Sequence, residues 1–369
     1  MSDVVFILGA GASKQAGAPL MNDFLDVAGD LLNSGKVDEK RHHFERVFKA
    51  ISQLQVVHSK AQLDLYNIES IFTVLELGKV IQKVPGHANN DEIDKTIASL
   101  KEVIVKTLEQ SMLFPIQNGG LLPPEPYQEF AKLIHYLTTE VNPRQTVSII
   151  TFNYDVAADL ALANSGMGPN YGITDSSVSE GERSRHVDLL KLHGSLNWAV
   201  ETIFNKIHPF DINSYLNIMN SVFHQSGRSS ITVDIGSILE SYFARRASPP
   251  ICVAPEPLIV PPSWNKSDYH HALSNIWKKA ADHLGSASSI FVIGFSLPET
   301  DAFFRHLFAL GCEGATMLRR IRIFNPDKTG TVDSRFRSLL GTAAISRYEY
   351  EPRTFEEAID IIKRDFAGR

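Results

Sequence analysis

The 369-residue sequence predicts a doubly wound α/β fold, a parallel sheet with helices on both faces, carrying a large all-helical insertion. Short runs of continuous apolar residues recur along the chain, the pattern of strands buried on both faces. Helical patterns lie between them, and that alternation is what parallel crossovers require. Directly after several runs come glycines, an amide and an imidazole, at the strand ends where open α/β sheets form their ligand crevice.

The first run is Val4–Leu8, ending in Gly9, Ala10 and Gly11. Val147–Thr151, 188–192, Ser289–Ile293 and 321–324 repeat the pattern, and 344–350 is a weaker instance. Helical stretches at 156–163, 269–284, 301–310 and 355–366 supply the crossovers. Residues 9–146, between the first two runs, are far more than one crossover needs. Apolar spacing there predicts helices at 21–33, 38–57, 67–83, 91–112 and 127–140. Pro115, Pro123, Pro124 and Pro126, with Gly119 and Gly120, mark a connector where helix does not continue. The expected organisation is a sheet domain from 1–21 and 146–369, with a variable segment at 201–250, and a helical insertion or lid domain at 22–145.

Lys and Arg number 36 against 42 Asp and Glu, a net charge of −6, which argues against a nucleic-acid-coating protein. Apolar residues at 43% and charged residues at 21% fit a globular chain with a substantial core. The only cysteines, Cys252 and Cys312, are isolated, so a four-cysteine zinc site is excluded and no zinc is expected. The adjacent pairs His42, His43 and His270, His271 point about 100° apart on a helix and make poor metal ligands. With no basic-then-apolar leader and no apolar run of about 20 residues, the expected location is the cytoplasm, away from membrane.

Three segments carry candidate chemistry. In Phe6 to Met21, Gly9 and Gly11 permit close backbone approach, and Ser13 with nearby N–H groups suits phosphate oxygens. Lys14 occupies the third glycine position of the dehydrogenase fingerprint, and no acidic residue follows at ribose-binding distance, so hydride transfer is disfavoured. After Val147–Thr151 come Asn153, a donor and acceptor fit for sugar hydroxyls or water, and Asp155, fit for a site role or a helix cap. After 188–192 comes His193, followed by Gly194 and placed for proton transfer.

Together these segments resemble the sirtuin-like family, in particular the bacterial antiphage branch of NAD-degrading proteins that lacks the zinc module. The family's GAG-x-S-x-x-x-G-x-P motif matches Gly9, Ala10, Gly11, Ser13, Gly17 and Pro19, and its T-x-N-x-D motif matches Thr151, Asn153 and Asp155. Its His-Gly pair matches His193 and Gly194. Gly294 and Ser296 in VIGFSLPETD resemble its glycine-and-serine turn, and Asn325 its asparagine near the adenosine ribose. Phe152 stands where the family usually has glutamine.

The resemblance implies a Rossmann-like, sirtuin-like sheet and NAD+ as substrate, hydrolysed to nicotinamide and ADP-ribose by a regulated NAD-depleting effector of antiphage defence. Asn153 and His193 would be catalytic. Gly9, Ala10, Gly11, Ser13, Asp155, Gly294, Ser296 and Asn325 would bind the dinucleotide. It also implies a homo-oligomer and a companion, a HerA-type ATPase or a phage-sensing protein. An NAD-dependent protein deacylase and a non-catalytic NAD or ADP-ribose sensor are the alternatives.

Overall fold

In the computed structural model, which describes residues 2–142, 145–173, 186–201, 206–223, 229–235, 239, 253–254, 257–260, 267–298, 301–313 and 316–367, seven strands form one parallel sheet. They are β1 (Val4–Leu8), β2 (Val147–Thr151), β3 (Gly168–Asn170), β4 (His186–Lys191), β5 (Ser289–Ile293), β6 (Arg320–Phe324) and β7 (Tyr348–Glu351). Their order is β7-β6-β5-β1-β2-β4-β3. The chain starts at the centre, passes to β2 and then to the edge strand β3, comes back to lay β4 between those two, and returns to lay β5, β6 and β7 on the other side. The order reverses between β1 and β5, where doubly wound sheets open their crevice.

The register decides which residues meet there. Leu8 lies opposite both Ile293 and Thr151, Thr151 opposite Lys191, and Ile293 opposite Phe324. Five strands therefore end level, and the residues after each form one row along the carboxyl edge. Every residue of β1, β2 and β5 is buried, so both faces are covered and the continuous apolar runs are accounted for. The short edge strand β3 has no apolar run to announce it, and Pro169 is tolerated there because an edge leaves the missing N–H unpaired.

Helices α1 (Phe24–Asn33), α2 (Arg41–Leu54), α3 (Ile68–Ile81) and α4 (Asn90–Ser111) pack on one another. The helix α5 (Glu125–Tyr136) behaves differently. It packs on α6 (Ala157–Asn164), and Phe130 from its inner face meets Phe6 of β1 edge-on at 5.0 Å. Beyond β4 the chain forms α7 (Ser267–Ser286), α8 (Ala302–Gly311), α9 (Thr331–Leu339) and α10 (Phe355–Ala367). Phe355 of α10 lies 5.3 Å from Phe130, so α5 belongs to a layer against the sheet although it falls within 22–145.

The insertion is not wholly helical. Phe114–Gln117 and Gly120–Leu121 form a hairpin, and Ser230–Ile231 of the variable segment pairs with its first strand. The turn holds Asn118 at φ 53° and Gly119 at φ 75°, the left-handed pair favoured by two-residue hairpins. Residues 202–205, 224–228, 236–238 and 240–250 of the variable segment, and Cys252, lie outside the described residues, as do the side chains of His270 and His271. Among the described residues no helix is long and apolar enough to cross a membrane.

Asp188 on β4 ties the sheet to α7, accepting from His283 Nε2 at 2.8 Å and from Asn170 Nδ2 at 2.6 Å. Burial works to raise its pKa, but the His283 bond and charge and the Asn170 bond outweigh it and hold the carboxyl below the usual range. A depressed folded-state pKa stabilises the fold above the unfolded value of about 3.9 and is lost as pH falls through the lower folded value. Asp188→Asn is therefore expected to flatten the acid limb of a melting-temperature titration below about pH 4. An acid limb identical to that of the unmutated protein would count against this tie.

Candidate active site

The row of strand ends begins with a glycine seam. Gly9 N donates to Ile293 O at 3.0 Å and Gly11 N to Gly294 O at 2.9 Å, drawing the β1 and β5 turns into backbone contact. A Cβ on Gly9 would stand 2.5 Å from Phe295 Cα, and one on Gly11 2.8 Å from Gly294 Cα. Gly294 itself has φ +65°. The first duty of these glycines is thus closure of the crevice floor, and the Gly9 and Gly11 N–H groups are committed within it. Gly11→Ala is expected to cost about 1–3 kcal/mol through overpacking, seen as a lower denaturation midpoint. Wild-type stability in that variant would show that the seam yields more easily than its geometry implies.

Beside the seam lies a buried polar cluster. Thr151 Oγ1 donates to Leu8 O at 3.1 Å and accepts from Asn153 N at 3.1 Å, which turns the Asn153 side chain toward β1. Asn153 Nδ2 donates to Gly9 O and to Ser13 Oγ, both at 3.0 Å. Ser13, on the one-turn helix Ala10–Ser13, donates to Asp155 Oδ2 at 2.7 Å and lies 2.7 Å from the Tyr127 hydroxyl. One hydroxyl can donate once and accept twice, so Tyr127 and Asn153 both donate to Ser13. Asp155 also accepts from Ala157 N at 3.0 Å, at the start of α6. Burial raises the Asp155 carboxyl, opposed by the charge of Lys191 and by the Ala157 and Ser13 bonds. Burial also pushes the Tyr127 phenol well above its usual range, which keeps it a donor.

This cluster faces a pocket enclosing about 60 Å³, which opens to about 580 Å³ of empty space when its mouth is included. Ala10, Ser13, Asn153 and Asp155 line it from the sheet, and Ile68, Phe72, Ile104 and Leu108 close it from α3 and α4. Glu69, in the first turn of α3, brings a buried carboxylate to the same wall. Two roomier hollows, near Leu339 and near His135, lie away from the cluster.

His193 follows β4 and is 4% exposed. Its ring packs edge-on against Phe152 at 5.2 Å and lies 6.3 Å from the Tyr154 ring. Phe152 and Tyr154 both face the pocket, whereas His193 is not part of its wall. Phe152 stacks on Phe295 at 4.4 Å and 13°, a job for an aromatic ring that glutamine could not do. On the β5–β6 side, Ser296 is exposed and Asn325 is buried, its Nδ2 reaching Phe295 O at 3.4 Å and its Oδ1 accepting from Asp327 N at 3.0 Å.

All ten candidate residues therefore lie along one edge. Gly9, Ser13, Asn153 and Asp155 share one hydrogen-bonded cluster, Ala10 joins them at the pocket, and Gly11 and Gly294 form the seam. His193, Ser296 and Asn325 stand outside that cluster. Tyr127 and Glu69 were not legible in advance, because each reaches the site from a helix distant in sequence. Among the described residues no three His, Cys, Asp or Glu side chains gather as a metal site.

Fold and site define a doubly wound parallel α/β protein with a polar cluster next to its topological switch point. No family model matches the chain, and no curated protein matches it. Among solved structures it is similar to a Sir2 homologue in complex with NAD, at 14% identity over 99% of this chain and 89% of that one, with a TM-score of 0.41. It is similar also to a structure of Sir2 with a p53 peptide and NAD+, at 12% identity over 99% and 94%, TM-score 0.41. A third, a Sir2 protein bound to a propionylated peptide, shares 12% identity over 99% and 93%, TM-score 0.39.

Proposed function

We propose that this chain is an NAD+ glycohydrolase, acting as a regulated NAD-depleting effector in antiphage defence. The observation that carries the proposal is the register of β2 and β4. Thr151 pairs with Lys191, so Asn153 and His193 each lie two residues past the same rung, on neighbouring strand ends beside a glycine-floored turn. The motifs around them, read in order along the chain, supply the chemistry.

Water attacks the anomeric carbon of the nicotinamide ribose, the N-glycosidic bond breaks, and nicotinamide, ADP-ribose and a proton leave. The leaving group is a pyridinium that departs neutral, so no strong general acid is needed and orientation dominates. Asn153 holds the water or ribose hydroxyls, and His193 takes the proton. Ala10, Gly9, Gly11 and Ser13 line the pyrophosphate path, Asp155 braces Ser13, and Gly294, Ser296 and Asn325 receive the adenosine half. A pocket of about 60 Å³ is smaller than the roughly 300 Å³ at which ligand sites begin. The proposal therefore includes an opened form in which α3 and α4 withdraw from Phe152 and Tyr154, freeing those rings to turn aside and uncover His193. Self-assembly or a companion, a HerA-type ATPase or a phage-sensing protein, would drive that opening.

The test is chromatographic analysis of NAD+ products, with and without the companion and with and without an acetylated peptide. Peptide-independent release of nicotinamide and ADP-ribose is the expected result. Strictly peptide-dependent consumption would mean a deacylase, and bound NAD+ recovered intact would mean a sensor.

A further inference from the structure

Lys191 is a cation inside an apolar strand, 1% exposed, and the chemistry above gives it no task. Its ammonium donates to Asp155 O at 2.6 Å and to Asp159 Oδ2 at 3.0 Å, with Tyr154 O at 3.5 Å. Asp159, in the first turn of α6, is fully buried as well. Stability alone is a poor reason for such a pair, because well-packed apolar replacements are often neutral or better. An apolar pair lacks one ability, which is to bind the carbonyls of residues 154 and 155.

Those carbonyls sit where the β2–β4 ladder has run out. Leu192 N to Thr151 O, at 2.9 Å, is the last rung, and beyond it the two chains leave the sheet as separate loops. Side chains then take over. Ser195 Oγ gives its one proton to Asn197 Oδ1 at 2.6 Å, and the next residue's N–H, Leu196 N, donates to Tyr154 O at 2.9 Å. Asn197 Nδ2 donates to the Tyr171 hydroxyl at 3.0 Å, and Tyr171 donates to Asp159 Oδ1 at 2.7 Å. Asp159 returns the path to Lys191. The ring is closed, and the segment from Lys191 to Ser195 with His193 at its middle is gripped at both ends to the residues that follow Asn153.

We propose that Lys191, acting through this buried ring, is a positioning residue that fixes the His193 imidazole relative to the Asn153 amide. It rests on the assignment of those two groups as the working pair. The ring keeps its connections whether the pocket is open or closed, since none of its members belongs to α3 or α4.

The experiment uses the full chain and the double variant Lys191→Met, Asp159→Leu, which removes both charges and leaves neither buried alone. A loss of kcat for NAD+ of about 100-fold is expected, the scale of an ångström of misplacement, with KM changed by less than a few-fold, measured on protein shown by melting to be folded. The second readout is independent of turnover: the carbon-13 signal of the His193 ring, assigned with His193→Ala, is expected to shift or broaden in the double variant and to stay put in Asp188→Asn. A folded double variant with wild-type kcat and an unmoved His193 signal overturns the proposal. If wild type leaves NAD+ intact under every condition, the hydrolase assignment fails, and the His193 signal alone decides the positioning role. If the double variant does not fold, Tyr171→Phe takes its place under the same two criteria.

Discussion

Asn153→Ala and His193→Ala are each expected to lower NAD+ turnover by about 10²–10⁴-fold, the range for a positioned acid–base group. Residues that act as a unit do not add, so the double variant should lose little more than either single one. The two singles differ in their side effects. Asn153→Ala removes one of two donors from Gly9 O, which keeps Ala12 N, and one of two from Ser13 Oγ, which keeps Tyr127, a cost of about 0.5–1.5 kcal/mol for each bond lost. His193→Ala removes an imidazole whose ring packs against Phe152 and Tyr154. Turnover must therefore be compared on protein shown by melting to be folded. Full turnover by either folded variant would remove that residue from the mechanism.

Phe130→Ala is expected to cost about 3–5 kcal/mol, the scale for an aromatic ring lost from a close-packed core. Phe130 is 1% exposed and touches Phe6 and Phe355 edge-on, from opposite ends of the chain. A denaturant titration reads the loss directly. If α5 belonged instead to a detachable lid, truncating Phe130 would leave the main unfolding transition where it is. A shift of that whole transition places α5 in the sheet core, and confines any moving part of the site to α1 through α4.

The strands β1, β2 and β5 were legible residue by residue, because a five-residue apolar run flanked by polar residues and turns has one buried solution. β7 was not: the apolar stretch 344–350 is shared between a helical turn, Thr342–Ile345, and the strand Tyr348–Glu351. The helix α9 also escaped notice, its pattern broken by the polar run around Asp333 and Arg335. Asn118-Gly119 did carry a hairpin signal, but the strands beside it are too short to stand out by alternation.

Candidate residues were visible for a similar reason. Glycine, amide and imidazole directly after apolar runs stand at strand ends whatever the order of the strands. Which of them touch depends on register and layer packing, and these are set by contacts between residues more than 100 positions apart, such as Gly9 with Asn153. The sequence by itself determined that this protein builds a parallel sheet and gathers its polar groups at one edge. Only the tertiary structure decided that Ser13 joins Asn153 to Asp155 and Tyr127, that His193 lies behind Phe152 and Tyr154, and that a buried lysine holds the two loops together. Periodicity is local and survives in one dimension, whereas the pairing of a buried donor with its acceptor is made only when distant segments exclude water together.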